Sequence, residues 1–381
     1  MDKAEVQNPV HMDMTLFYAS PEKDADLLYL GGFHAPDPFL AFEVDSKKGA
    51  VLSSLELNRG RKESRFDEIF SLEELRKESG EKKGVVPLVL FLAGKFGATR
   101  FRLPEDFPAK LAFELSEKSD RPVIFVDRPV CRDRLCKTAD EQESIRRVNE
   151  VISGAFGRVE EILAEAVVDG GILRINGKPL TSEWLRSEIA VHCLRHGCIA
   201  SGTIAAGGEQ ACDPHEQGSG PLPAHELIIV DIFPRDEKTG FFGDMTRTYL
   251  KGKFSAEQRR LVETVREAQA LAIHKLAAGV DGKAVHDEVT QFFDQNGFPT
   301  GHDETGYFGF FHGTGHGLGL EIHEEPRVGR TSCQMEAGMV TTVEPGLYYP
   351  GLGGCRIEDV VRIGEDGVLP LSSHPYDWVI A

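Results

Sequence analysis

Five side chains have the types and surroundings of a shared cation site: Asp231, Asp244, His316, Glu344 and Glu358. Asp231 interrupts the apolar run from Leu227 to Phe233. Glu344 follows the strand-like run from Val340 to Val343, and Glu358 lies in the β-rich stretch from Arg356 to Ile363. A carboxylate inside an apolar strand costs several kcal/mol unless something pairs with it. One such acid is explained by a salt bridge or a strand end; several point to a common cation. Asp244 opens the run Asp-Met-Thr-Arg-Thr, 13 residues after Asp231. A strand, a turn near Asp236 to Gly240 and a returning strand would bring the two acids together. His316 sits in a glycine-rich run that reaches from His312 through His323 to Pro326. Its glycines let backbone pass close to a metal or a substrate. Arg356 precedes Glu358 by two, which places both on one face of the last strand. Four carboxylates and an imidazole form a hard, oxygen-rich donor set. It suits two divalent ions such as Mn2+ or Co2+, with Zn2+ as an alternative, and not a soft thiolate site.

The positioning elements follow from periodicity. From Ile145 to Leu163 the apolar residues recur at helical spacing, and Gly170-Gly171 mark the stop. Gly177-Lys178 then precede a helix that starts near Thr181 and ends at Gly197. The same order returns later. Ser255 and Gln258 form a capping box. A long helix runs through Leu261 to Leu276 and stops at Gly279, and a helix after Gly282-Lys283 ends at Gly297. This repetition predicts an internal duplication. Before it, the first ~135 residues alternate β-rich and helical runs, an α/β pattern with no evident chemistry. Leu27 to Leu30, Phe39 to Val44, Val86 to Leu92 and Val123 to Val126 read as strands. Pro108 to Glu117 reads as a helix, and Val130 to Ala139 as a linker.

Length and charge narrow the function. A chain of 381 residues favours two domains. Asp and Glu outnumber Lys and Arg 61 to 43, a formal charge of −18, which disfavours nucleic-acid partners. The basic run Arg59 to Lys62 is short and reads as a solvated loop. No stretch approaches the ~18 apolar residues of a membrane span. The opening Met-Asp-Lys-Ala-Glu lacks the pattern of a secretory signal. Seven scattered cysteines without Cys-x-x-Cys read as reduced thiols of a cytoplasmic protein.

Taken in order, these segments resemble the pita-bread metallopeptidases: methionine aminopeptidase, aminopeptidase P and prolidase. The resemblance spans roughly Asp140 to Asp377, with a weaker match before it. It implies an α+β fold. A C-terminal pita-bread domain with pseudo-twofold symmetry, residues 138–381, would follow a smaller α/β domain, residues 1–137. It implies that Asp231 binds one metal, that Asp244 and Glu358 bridge both, and that His316 and Glu344 bind the second. A bridging water or hydroxide would attack the first peptide bond, with the substrate's free amine near Asp231. Glu344 would move the proton, His323 would stabilise the oxyanion, and His215 would line the substrate site. His312 and Arg356 resemble aminopeptidase P and prolidase, not the methionine enzymes. The implied substrate is therefore a peptide with a free N-terminus and proline second. Dipeptidase and aminopeptidase remain alternatives, and the family forms dimers or tetramers. A pita-bread protein without activity is a lesser alternative, since such proteins usually lose ligands and none is lost here.

The chain departs from the family twice. Asp-x-Gly is common at the first ligand, but Asp231-Ile-Phe-Pro234 stands here, and the gap to Asp244 is about two residues longer. Elsewhere the bland readings win. His192, His196, His274 and His286 are ordinary helix residues, and His225 and His302 are solvated. Glu324 and Glu325 are surface charges. The aromatic run Tyr307, Phe308, Phe310 and Phe311 has two readings, a proline pocket and core packing, and core packing is the commoner fate.

Overall fold

The computed structural model describes residues 11–80, 83–304, 306–375 and 377–381. The acidic opening segment lies outside them. The chain divides into two compact units between Arg134 and Leu135.

The first unit is a six-stranded mixed sheet flanked by helices. Its elements are β1 (Asp13–Ala19), α1 (Ala25–Gly31), β2 (Phe39–Val44), β3 (Lys47–Leu52), α2 (Leu57–Glu63), β4 (Glu68–Ser71), α3 (Leu72–Glu78), α4 (Val86–Phe96), β5 (Arg100–Pro104), α5 (Ala109–Lys118) and β6 (Val123–Val126). The sheet order is β4-β3-β2-β1-β5-β6. Two expected strands are helices. Leu27 to Leu30 lies in α1 because Asp24 caps it, accepting from the Leu27 amide at 2.8 Å, and Gly32 closes it at φ 55°. Val86 to Leu92 lies in α4, which has a proline in its first turn and ends at left-handed Gly97. Both runs are short and apolar, so periodicity alone could not separate strand from buried helix.

Asp26 ties the end of this unit to α1. It is fully buried and accepts from Arg128 at 2.7 Å, from Arg134 at 3.0 Å, and from the amides of Val130 and Cys131. Burial opposes its ionisation, but Arg134 and Arg128 outweigh that and lower its pKa.

The second unit is built from a repeated order. The helix α6 (Ala139–Glu165) opens on a capping box of Thr138 and Glu141. Three short strands follow, β7 (Val167–Asp169), β8 (Ile172–Ile175) and β9 (Lys178–Pro179), then α7 (Ser182–Arg195), capped by Thr181. The expected stop at Gly170-Gly171 is instead the turn between β7 and β8. After β10 (Cys198–Ile199) come β11 (Ile204–Gly207), β12 (Ile228–Ile232), β13 (Arg235–Asp236) and β14 (Met245–Lys251). The second half opens on the capping box of Ser255 and Gln258, which starts α8 (Ala256–Lys275); α9 (Gly282–Gln295) is capped by Asp281. Here too the long helix ends before the glycine expected to stop it. Both halves close their shorter helix on a glycine at φ 75°, Gly197 and Gly297. Beyond lie β15 (Gly301–Asp303), β16 (Gly306–Phe308), β17 (Gly315–Gly317), β18 (Glu324–Val328), β19 (Val340–Val343), β20 (Gly346–Tyr349), β21 (Gly353–Arg356) and β22 (Asp359–Ile363).

Strands β11, β12 and β14 form one antiparallel sheet, and β18, β17, β19 and β22 lie side by side in another. Apolar faces of α6 and α7 cover the first, and those of α8 and α9 cover the second. The sheets are stitched where Thr246 and Thr248 of β14 meet residues 356–358. The Glu358 amide donates to the Thr246 carbonyl at 3.1 Å, and the Thr248 hydroxyl donates to the Arg356 carbonyl at 2.9 Å. The stretch from Arg356 to Ile363 is therefore not one strand: Arg356 ends β21, and Glu358 sits in the link before β22.

Replacing Asp26 with alanine removes the acceptor of the Val130 and Cys131 amides and one carboxylate partner each from Arg134 and from Arg128, which keeps Asp24 and Asp106. The expected loss is about 3–5 kcal/mol of unfolding free energy, read by chemical denaturation. A midpoint matching wild type would show that the Asp26 knot contributes nothing to stability.

Candidate metal centre

The two sheets bring all five expected ligands to one cavity of about 1030 Å3. Asp231 projects from β12, Asp244 immediately precedes β14, His316 is the middle residue of β17, Glu344 follows β19, and Glu358 occupies the link before β22. Ligand atoms of Asp244, His316 and Glu358 all lie within 4.8 Å of one another. His316 Nε2 is 3.4 Å from Glu344 Oε1 and 3.7 Å from Asp244 Oδ2.

Backbone contacts aim these groups. Asn149, on the buried stripe of α6, accepts from the Asp244 amide at 3.0 Å and donates to the Leu371 carbonyl at 3.1 Å. The Glu344 amide donates to the Thr314 carbonyl at 2.8 Å. Thr246 donates its hydroxyl to Glu358 Oε2 at 2.7 Å. Gly315 admits no side chain, because a Cβ there would lie 2.0 Å from the Thr342 carbonyl oxygen. That close approach seats His316 against β19.

The donor chemistry fits metal. His316 Nδ1 lies 3.1 Å from the Gly317 carbonyl, which assigns the proton to Nδ1 and leaves Nε2 free to ligate. Burial pushes its pKa down to about 3, so the ring is neutral. Asp231 Oδ1 and Glu358 Oε1 are buried without a hydrogen-bond partner. Such orphaned acceptors need a cation or a proton. Burial, with Glu358, Asp231 and Glu344 close by, raises the Asp244 pKa well above the carboxylate range. Glu358 is raised likewise by burial and by Glu344 and Asp231. Burial lifts Glu344 to about 7, against the opposing charge of Arg356.

A polar chain lies behind the carboxylates. Arg356 donates to Asp231 Oδ2 at 2.8 Å and to the Tyr348 hydroxyl at 2.9 Å. Tyr348 in turn lies 2.9 Å from His312 Nε2, and His312 Nδ1 lies 2.8 Å from the Gly313 carbonyl. Both nitrogens of His312 are thus engaged within the protein. Burial pushes this histidine down to about 3, so it is a neutral acceptor for the Tyr348 proton. His215 and His323 line the same cavity, with the His323 ring 4.3 Å from that of His316.

Some supports escaped the sequence reading. Tyr348 carries no motif signal, Thr246 lies in the run Asp-Met-Thr-Arg-Thr without any sign of its own role, and Asn149 is detectable as a polar residue on the apolar stripe of α6. Glu324 is not a surface charge. It is buried beside His323 and paired at 2.5 Å with Lys137, whose side chain is also buried. Of the aromatic run, Phe310 is core, Phe311 lines the cavity, and Tyr307 is 65% exposed. His286 is buried, 2.9 Å from the Thr314 hydroxyl.

Comparison with known proteins agrees with this geometry. The sequence profile described as Metallopeptidase family M24 matches residues 143–365, more than half of the chain. An uncharacterised peptidase of Bacillus subtilis is 31% identical over 267 residues, 69% of each chain. A protein named Xaa-Pro dipeptidase from Pyrococcus furiosus is 30% identical over 280 residues, 72% of each chain. The structure titled X-Pro aminopeptidase from Thermotoga maritima superposes with a TM-score of 0.80 at 24% identity. That alignment covers 97% of this chain and 98% of the other, a likeness of fold.

Without metal, the folded chain holds protons on Asp244, Glu344 and Glu358 to higher pH than the unfolded chain does. Between about pH 4 and the raised folded values, the folded state binds more protons, so stability falls as pH rises. A divalent ion replaces those protons. Mn2+ at about 100 times its Kd is expected to stabilise the protein by about 2.7 kcal/mol near neutral pH, and by much less near pH 5. Thermal unfolding with and without the ion reads this directly, and an equal gain at both pH values would contradict it.

Proposed function

The chain belongs to metallopeptidase family M24, and from that premise we propose that it is a two-metal exopeptidase cleaving the bond between an N-terminal residue and a following proline. The observation that carries the metal part is the pair of buried, unpartnered oxygens, Asp231 Oδ1 and Glu358 Oε1, in the cavity that also holds His316 Nε2. Asp231, Asp244, His316, Glu344 and Glu358 would hold two divalent ions. The oxygen-rich donor set favours Mn2+, with Co2+ or Zn2+ as alternatives. When bound, such ions activate water and polarise the scissile carbonyl.

The chain's own residues account for the rest. Glu344, on the cavity wall beside His316, is placed to take a proton and return it to the leaving nitrogen. His323, on the cavity wall, supplies a donor for the oxyanion. Asp231 marks the amine end of the substrate, and Arg356 fixes its orientation from behind. His215 lines the substrate side. His312 acts through Tyr348 and Arg356, since both its nitrogens are already engaged. The proline preference is supported by the names of similar proteins and by His312 and Arg356. Catalysis is assigned to the second unit, in a cytoplasmic dimer or tetramer.

The dipeptidase form of this activity has its own support. Arg327 and Arg330 line the same cavity, and a guanidinium there can pair with the free carboxylate of a dipeptide.

Ala-Pro, Ala-Pro-Ala and Met-Ala-Ser, offered to Mn2+-loaded protein, separate these readings. Hydrolysis of both proline peptides indicates the aminopeptidase, and of Ala-Pro alone the dipeptidase. Cleavage of Met-Ala-Ser alone would remove the proline assignment. Asp244→Ala is expected to abolish metal binding and hydrolysis together; a variant with full activity would remove Asp244 from the cage.

A further inference from the structure

The residue just past the first ligand strand adds a second side chain to the cavity wall. Phe233 lies two residues beyond Asp231, and both line the cavity. Ile204 of β11 pairs directly with Asp231 and lines it as well. Gly202, two residues before Ile204, has φ +84°, and a Cβ there would stand 3.0 Å from Cζ of Phe233 and 3.2 Å from Cε2. The phenyl ring therefore occupies the space that the missing Gly202 side chain leaves.

The wall is held from both sides. Pro234 confines Phe233 to extended backbone. Beyond it the longer hairpin is knotted by Asp236, which is buried. Asp236 accepts from the Lys238 amide at 3.0 Å and the Thr239 amide at 2.7 Å, and it pairs with Arg147. Arg235 donates to the Gly240 carbonyl at 3.0 Å. These contacts order the turn that follows Pro234 and so fix the chain just beyond the ring.

We propose that Phe233 is a specificity-determining residue whose ring, seated over Gly202 beside Asp231, walls the pocket for the first side chain of the substrate. With Ile204 it forms a shallow apolar surface, which admits a small apolar first residue and discriminates against an aromatic one. This rests on the placement of the substrate amine at Asp231 made above.

The test is kcat/KM for Ala-Pro, Leu-Pro and Phe-Pro, and for the same three sequences extended by a C-terminal alanine, with the wild type, Phe233→Ala and Phe233→Leu, each checked for wild-type metal content. Removing the ring is expected to raise the Phe-Pro to Ala-Pro ratio at least ~10-fold, the scale of discrimination by a few methylenes in an apolar pocket. Phe233→Leu, which retains most of the fold contacts, is expected to fall between. If the wild type cleaves these peptides and neither variant changes the ratio, the inference is overturned and the proposed function stands. If the wild type cleaves none of them, the functional reading fails and takes this inference with it.

Discussion

Four carboxylates share the wall of one cavity, and like charges that close cannot all remain ionised without a counter-charge. Two unit charges at 4 Å repel by about 4 kcal/mol at an effective dielectric near 20. The strong upward shifts of Asp244 and Glu358, and the milder one of Glu344, express that repulsion together with burial. Arg356 lies among them, committed to Asp231 and Tyr348. Even with Arg327 and Arg330 on the same cavity wall, the four acids outnumber these guanidinium groups. The architecture is intelligible as a frame that holds this unfavourable cluster ready for cations from solution.

That frame explains the supporting polar residues. A cluster that repels itself spreads unless each member is anchored separately, and the anchors come from different elements. Asn149 on α6 holds the backbone at Asp244, Thr246 on β14 holds Glu358, and the Thr314 carbonyl holds the amide of Glu344. The chain from Asp231 through Arg356 and Tyr348 to His312 anchors the first acid from behind. Each half of the repeated unit supplies carboxylates to the cavity, which lies where the two halves meet near β14 and residues 356–358.

What the sequence made legible follows the strength of local signals. Acids in apolar runs, the glycine-rich run around His316, and the capping box of Ser255 and Gln258 pointed to the second unit and its family; the matching box of Thr138 and Glu141 emerged only in the structure. The helices α6 to α9 were readable because long amphipathic stripes and caps agree. Leu27 to Leu30 and Val86 to Leu92 were misread because short apolar runs have no period, and their helices are decided by caps at Asp24, Gly32 and Gly97. Arg356 and Glu358 do reach one cavity, but by a break between strands and not by alternation along one. The roles of Tyr348 and Thr246 were hidden, since only tertiary pairing gives a lone hydroxyl its partner. Glu324 looked like a surface charge because its counter-ion, Lys137, lies 187 residues away.

The central claim is that this cluster is stable at neutral pH because it holds two cations. Metal content per chain, measured after Mn2+ loading and removal of unbound ion, tests it most directly. The account predicts two ions per wild-type chain. A loaded, folded protein retaining none would contradict it.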